Sequence, residues 1–326
     1  MKLRFIRKAF VSLNDDALMR RLLNLNPNQL TFEKTQGNQN PSKWVYWISL
    51  NDKGNGFFAL FNRMLRYLAY ADYYHLTPLI TYGNEGLNVD PNMAGNNTVF
   101  DYYFNQPSNI DVNRLTEQKH LIKSRYVDSQ MLFESIQDNV EYLLTEKEIL
   151  RLGKVFKQYV TFNDETQKRL DSKHLNVLSD QRILGVHIRG TDFRNINKHH
   201  PKFIDEQTYF DVIDPALESK QYDGVFLATD DVDLLESFKS RYTDKLYYHQ
   251  DVFRSDKKEN LASQDAQRTK HQYLSGLEVL LDVYTLAHCH GLVAGLSQVS
   301  LAARIMNVAL AKPYQDTTIL SKGFHR

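Results

Sequence analysis

The chain holds one cysteine, Cys289, among its 326 residues. No intrachain disulfide can form, so the core alone must hold the fold, as suits a reducing, cytoplasmic setting. His288 and His290 flank that cysteine, but three consecutive side chains cannot share one face of a helix, which argues against a metal site there. No run of 18 apolar residues occurs, so no membrane-spanning helix is expected. Neither sign of charge dominates: Lys plus Arg is 40, Asp plus Glu 39 and the net charge +1. That balance argues against nucleic acid or anionic lipid as the main partner. No G-x-G-x-x-G follows a strand-like run, which weighs against a dinucleotide-dependent dehydrogenase. Internal repeats and low-complexity tracts are also missing. The start, Met1 to Phe10, is basic (Lys2, Arg4, Arg7, Lys8), and its apolar part is too short and broken for a signal-peptide core. A solvated first helix is the expectation, with peripheral contact to an anionic membrane surface as the alternative.

What is present is an ordinary globular composition, 42% hydrophobic and 24% charged, with 19 Tyr and 18 Phe. Those aromatics belong first to a core, and some are available to line a sugar or base pocket. Trp44 to Leu50 reads as a strand, Asn51 to Gly56 as a glycine-bearing loop, and Phe57, Leu60, Phe61, Met64, Leu65 and Leu68 as one helical stripe. Thr77 to Tyr82 returns as a strand, completing a βαβ unit. Thr145 to Asp171 is mostly helical, and Ser172 to Gln181 is a polar connection. Past it, strands at Ile183–Ile188, Gly224–Ala228, Leu246–His249 and Gly291–Ala294 alternate with helices. The alternation predicts an α/β protein with mostly parallel sheets. We divide the chain into 1–180, an N-terminal acceptor-side domain, and 181–326, a C-terminal nucleotide-binding domain.

Several chemistry-bearing groups fall where strands of the second half run out, the edge at which open α/β sheets bind ligands. Arg189 and Asp192 follow one strand. Asp230 and Asp231 follow another. Ser297 and Gln298 follow a third and open a helix, and Asp282 lies on the helix before it. The planar donor fork of an arginine matches phosphate oxygens, and a helix start favours an anion. Asp231-Val232-Asp233 has the spacing of a metal-binding pair beneath a diphosphate, yet carboxylates at a helix start also serve its dipole. His199 and His200, shortly after Arg189, could accept a proton near neutral pH.

These residues resemble the α-1,6-fucosyltransferases, the group of the eukaryotic core and rhizobial nodulation-factor enzymes within the superfamily that shares an H-x-R motif. Three motifs carry the resemblance, in order: Gly185-Val186-His187-Ile188-Arg189-Gly190-Thr191-Asp192; Phe226-Leu227-Ala228-Thr229-Asp230-Asp231; and Leu281-Asp282 through Ser297-Gln298-Val299 to Ala303-Arg304-Ile305-Met306. Upstream, Lys53-Gly54-Asn55-Gly56 is similar to the family's loop after the first strand. The resemblance implies a GT-B-like fold of two facing Rossmann-like domains, GDP-fucose as donor, and inversion at the sugar carbon with no metal or other cofactor. It implies that Arg189 holds the β-phosphate and that His187 and Asp282 lie near guanine and ribose. Ser297 and Gln298 would flank the diphosphate, Gly54 and Gly56 would close over the donor, and Asp192, Asp230 and Asp231 would shape its pocket.

The chain departs from the core enzymes at three positions. Gly190 stands where they carry a second arginine, Phe193 where they carry lysine, and Asn197 where they carry a glutamate proposed as base. His200, then His199 or Asp192, are the replacement candidates. The partners expected are a nucleotide-sugar donor and a glycan acceptor, free or lipid-linked, in microbial surface-polysaccharide or oligosaccharide assembly. No stem, anchor or SH3-like extension is read in the chain, as expected of a compact cytoplasmic relative. The alternatives are transfer from another nucleotide sugar, and a non-catalytic nucleotide- or glycan-binding protein.

Overall fold

The computed structural model describes residues 31–32, 37–50, 54–82, 86–93, 98–136, 141, 143–175, 181–191, 200–256, 261, 264 and 268–325. The basic stretch Met1 to Phe10 lies outside them. Two sheets organise the described chain.

The first is built on the βαβ unit. Strand β2 (Val45–Leu50) runs into the loop at Gly54–Gly56 and then into helix α1 (Phe57–Tyr73). α1 is proline-free, and from Met64 to Ala71 every residue is buried, so the helix is enclosed on all sides rather than along a single stripe. The chain returns as β3 (Thr77–Tyr82), parallel to β2. On the other side of β2 lies the short strand β5 (Leu121–Lys123), with β1 (Thr31–Phe32) antiparallel at the edge. The order is β1-β5-β2-β3. A small antiparallel pair joins β4 (Phe104–Asn105) to β6 (Thr161–Phe162).

Helices α2 (Glu146–Tyr159) and α3 (Asp164–Leu175) lead into the second sheet. α2 opens with a T-x-x-E capping box: the Thr145 hydroxyl accepts from the Glu148 N–H, and the Glu148 carboxylate accepts from the Thr145 N–H at 2.8 Å. Strand β7 (Ile183–Ile188), helix α4 (Glu206–Glu218), β8 (Gly224–Thr229), α5 (Val232–Tyr242) and β9 (Leu246–Tyr247) then alternate. Helix α6 (His271–His288), β10 (Gly291–Gly295), α7 (Gln298–Ala309) and β11 (Thr317–Leu320) complete the chain. All neighbours in this sheet are parallel, in the order β11-β10-β7-β8-β9. Both long central strands, β7 and β8, are buried throughout, as parallel strands covered on two faces must be. The fold class is α/β with mostly parallel sheets, as the alternation predicts.

Strand alternation sorts the core into two. Leu184, Val186 and Ile188 point one way, into a cluster with Tyr209, Phe210, Ile213, Leu234 and Phe238. Ile183 points the other way, into a larger cluster that also takes in α1, α2, α6 and α7. A Cβ on Gly185 would meet Leu286 and Cys289 on that second side. Cys289 is buried there, its thiol pushed up by burial, with Sγ on the Thr285 carbonyl. His288 Nδ1 hydrogen-bonds the Tyr284 carbonyl, and His290 Nδ1 accepts from the Ile183 N–H. The His-Cys-His triplet is thus divided among three separate partners.

The larger cluster joins the two sheets. α2 packs along α7, and Glu146 pairs with Arg304. The two helices come close at Gly153, where an added Cβ would lie 2.3 Å from Val308 Cγ1 and 3.1 Å from the Ile305 carbonyl oxygen. Helix propensity alone favours Gly→Ala by about 1 kcal/mol. Here the contact reverses the sign: Gly153→Ala is expected to destabilise by about 1–2 kcal/mol in urea unfolding, because Val308 is stiff at χ1 and must shift. Gly153→Ala with Val308→Ala should be more stable than the two single losses added together. A stabilised single variant would show that the helices are not in contact at this point.

Candidate active site

The strand order places the site. From β7 the chain proceeds to β8 and β9 on one side, then crosses to β10 and β11 on the other. The order therefore reverses between β7 and β10, and a crevice opens beyond their carboxyl ends, the position at which doubly wound sheets take ligands. Beyond β7 comes Arg189, and beyond β10 comes Ser297 at the start of α7.

A cleft of about 260 Å³ occupies this position. From the second half it is lined by His187, Arg189, His200, Asp230, Asp282, Ser297 and Gln298, and from the first half by Gly54 and Gly56. These sequence-derived candidates thus meet on one surface. Asp231 does not line it. It is buried as the N-cap of α5, its carboxylate accepting from the Leu234 N–H at 3.1 Å. Asp192 and His199 lie outside the described residues, as do Phe193 and Asn197.

Asp230 organises the loop after β7. It pairs with Arg189 at 2.8 Å and accepts from the Gly190 N–H at 2.8 Å and the Thr191 hydroxyl at 2.7 Å. Burial alone would raise the Asp230 carboxyl. The Arg189 charge and these two donors outweigh it and hold the group below the usual carboxylate range. Thr191 is a functional contact that sequence reasoning did not single out. Gly190 also has a structural reason: a Cβ there would lie 2.3 Å from Asp231 Cβ. This backbone has no room for an arginine at that position.

His187 is buried on the inner face of β7. Its Nδ1 lies 3.4 Å from the Ser297 hydroxyl. Burial, assisted by the Arg189 charge and opposed by Asp230, pushes its pKa down to about 4, so the ring is neutral at physiological pH. Ser297 is the N-cap of α7: its hydroxyl accepts from the Ser300 N–H at 3.0 Å, and the Ser300 hydroxyl accepts from the Ser297 N–H at 3.0 Å. The cap takes the Ser300 N–H and leaves those of Gln298 and Val299, at the start of α7, without an intrahelical acceptor; both residues line the same cleft as Arg189.

The other half supplies the loop at Gly54–Gly56. Gly54 has φ +93°, a conformation that favours glycine, and open space around its missing Cβ. Asn88 reaches over to donate to the Asn55 carbonyl. Asn88 lines the cleft and Asn62, on α1, hydrogen-bonds its lining residue Gln298; neither has a local sequence signal. Both act across long sequence separations, which only an alignment of homologues or a structure can show.

His200 is placed by the chain's far end. Its carbonyl accepts from the His325 N–H at 2.9 Å, and the Lys202 N–H donates to the Gly323 carbonyl at 2.9 Å.

The residues 120–317, more than half of the chain, match the family described as α-(1,6)-fucosyltransferase N- and catalytic domains. The chain belongs to the α-1,6-fucosyltransferase family. It is therefore a glycosyltransferase, and the three motifs read in the sequence fall inside the matched region. No curated protein sequence matches the chain. Among solved structures it is similar to NodZ α-1,6-fucosyltransferase soaked with GDP-fucose (TM-score 0.46, 14% identity, 80% of this chain and 92% of that one). It is likewise similar to fucosyltransferase NodZ from Bradyrhizobium (TM-score 0.45, 14%, 80% and 91%). A third similar structure is POFUT1 in complex with GDP (TM-score 0.48, 10%, 88% and 99%).

Within this family member, Asp282 is an acid of the cleft held above the usual carboxylate range. It is buried on α6, and its Oδ1 has no hydrogen-bond partner. Burial pushes its pKa up to about 7, against the lowering influence of Arg254. In the unfolded chain the group ionises near its ordinary 3.8. Between those two values the folded state keeps a proton that the unfolded state has lost, so stability falls as pH rises, by roughly 1.4 kcal/mol per pH unit. Below and above that window its contribution is flat. The stability difference between Asp282→Asn and wild type should therefore grow in favour of the variant by about 2–3 kcal/mol from pH 5 to pH 7, in urea unfolding at each pH. A difference that stays constant over that range would show that Asp282 titrates normally.

Proposed function

We propose that the protein transfers fucose from GDP-fucose to a glycan hydroxyl, inverting the anomeric carbon without a metal ion. The observation that carries this reading is the convergence at the sheet's switch point of Arg189, the N-terminus of α7 and an unpartnered buried carboxylate oxygen on Asp282. The first two suit a diphosphate. The third suits guanine, which presents two adjacent N–H donors, at N1 and N2, to a carboxylate.

In the reaction the C1–O bond to the β-phosphate breaks, and its electron pair passes to the departing diphosphate. Arg189 and the α7 amides meet that charge as it develops. The acceptor oxygen forms the new bond from the opposite face of the ring, which inverts C1. Its proton goes to a base, for which His200 is the candidate that lines the cleft; His199 and Asp192 are the others. Support for a metal-free mechanism comes from the engaged state of the acids. Asp230 is committed to Arg189 and its loop, and Asp231 to the cap of α5, so cationic help comes from the arginine and the helix. The resemblance further supports a role in microbial surface-polysaccharide or oligosaccharide assembly, with a free or lipid-linked acceptor. Among the described residues no helix is long and apolar enough to cross a membrane. The single buried cysteine fits the cytoplasm as the site of action.

The test is calorimetric titration with GDP, UDP and NAD, with and without EDTA, followed by turnover of GDP-fucose on an acceptor panel. GDP should bind alone among the three, survive EDTA, and weaken in Arg189→Ala, whose turnover falls on the order of 100-fold. His200→Ala should lose on the order of 100-fold in kcat while keeping GDP affinity. UDP preference or loss in EDTA would overturn the donor and metal-free assignments. Near-normal turnover in both His200→Ala and His199→Ala would remove histidine as the base.

A further inference from the structure

Asn62 sits in the second turn of α1, fully buried; Arg66, one turn further on, is buried too but is paired with Glu141 at 2.8 Å. Its side-chain nitrogen donates to the backbone carbonyl of Gln298 at 2.8 Å and to Gln298 Oε1 at 2.8 Å. Its own Oδ1 is buried with no partner. A half-satisfied buried amide is a burden on stability, because the stranded acceptor has given up its water and found no replacement. An apolar residue would serve the core better, so the asparagine has another reason to be there.

The geometry also fixes which way two amides face. A backbone carbonyl can only accept, so the end of Asn62 that meets it must be the NH₂. The same nitrogen touches the end of the Gln298 amide, which must then be its oxygen. Gln298 Nε2 consequently turns away from Asn62, and it hydrogen-bonds none of the described residues. Gln298 lines the cleft at the N-terminus of α7, beside Ser297 and across from Arg189.

We infer that Asn62 is a positioning residue that locks the Gln298 amide with its N–H end toward the donor diphosphate. The inference rests on the donor-site reading above and deepens it. Without the lock, Gln298 can turn its oxygen to an anion, which repels rather than binds. The residue also makes diphosphate recognition depend on contact between the two halves, because α1 begins at the Gly54–Gly56 loop and carries Asn62 less than two turns on.

The test compares affinity for GDP with affinity for guanosine, which shares the base and ribose but lacks the phosphates. A purely structural defect would weaken both alike. Asn62→Ala and Asn62→Leu should lower GDP affinity roughly tenfold, the worth of one hydrogen bond to a charged group, while guanosine affinity stays unchanged. Asn62→Leu, which removes the stranded oxygen, should unfold at no lower urea concentration than wild type. On a Gln298→Ala background, Asn62→Ala should cause no further loss of GDP affinity. Equal losses for GDP and guanosine, or full additivity with Gln298→Ala, would overturn the positioning role. Wild-type protein that binds guanosine but gains nothing from the diphosphate would overturn it too. If the wild-type protein binds neither, the donor-site reading fails and carries this inference with it.

Discussion

The ion pair between Arg189 and Asp230 is the constraint on which the site depends. An arginine at the end of a buried strand is of no use to a phosphate if its side chain wanders. Asp230 fixes it from the next strand over, and the same carboxylate collects the Gly190 N–H and the Thr191 hydroxyl. One buried acid thus sets the path of the chain as it leaves β7. Asp231, directly after it, caps α5 and crowds Gly190. The pair Asp230–Asp231 therefore explains both how the first arginine is held and why a second one has no place beside it.

Around that pair, the two sheets contribute different things. The second sheet supplies the switch point, the helix dipole of α7 and the buried acid of α6. The first supplies a glycine loop and the helix α1, which runs from the cleft into the shared core. Tyr103 donates to the Tyr273 carbonyl at 2.8 Å and Asp90 accepts from the Tyr273 N–H, so the start of α6 is also tied to the first half. Packing of α2 on α7 completes the connection. Of these helices, α1 and α7 line the cleft with their first residues and α6 with its middle, while α2 stands clear of it.

Much of this was legible in the sequence. Ile183-Leu184-Gly185-Val186 and Val225-Phe226-Leu227-Ala228 are apolar runs within alternating helical segments, and that setting points to buried parallel strands. The helix stripe from Phe57 was equally clear. α2 and α3, numbered with the first half, pack against helices of the second. β1, β5 and β11 were not seen. They are short, lie toward sheet edges, and owe their existence to partners far away rather than to their own composition: Thr317–Leu320 is a strand because β10 is beside it. In the site, residues at strand ends and caps could be named because motif and topology agree on them. Asp231 reads in the sequence as a metal ligand or a cap, and in the structure its carboxylate accepts from the Leu234 N–H as the cap of α5. Asn62 and Asn88 had no local signature, since Asn62 meets Gln298 across 236 positions.

The central claim is that Asp230 serves the donor site by holding Arg189 rather than by opposing an anion. Charge counting and the present account disagree in sign here. Removing a carboxylate beside a diphosphate should strengthen binding by simple electrostatics, whereas removing the anchor of Arg189 should weaken it. The decisive measurement is GDP affinity in Asp230→Asn, Arg189→Ala and the double variant. The account predicts that Asp230→Asn binds GDP roughly tenfold or more weakly, with little added loss in the double variant. Unchanged or tighter binding in Asp230→Asn would contradict it.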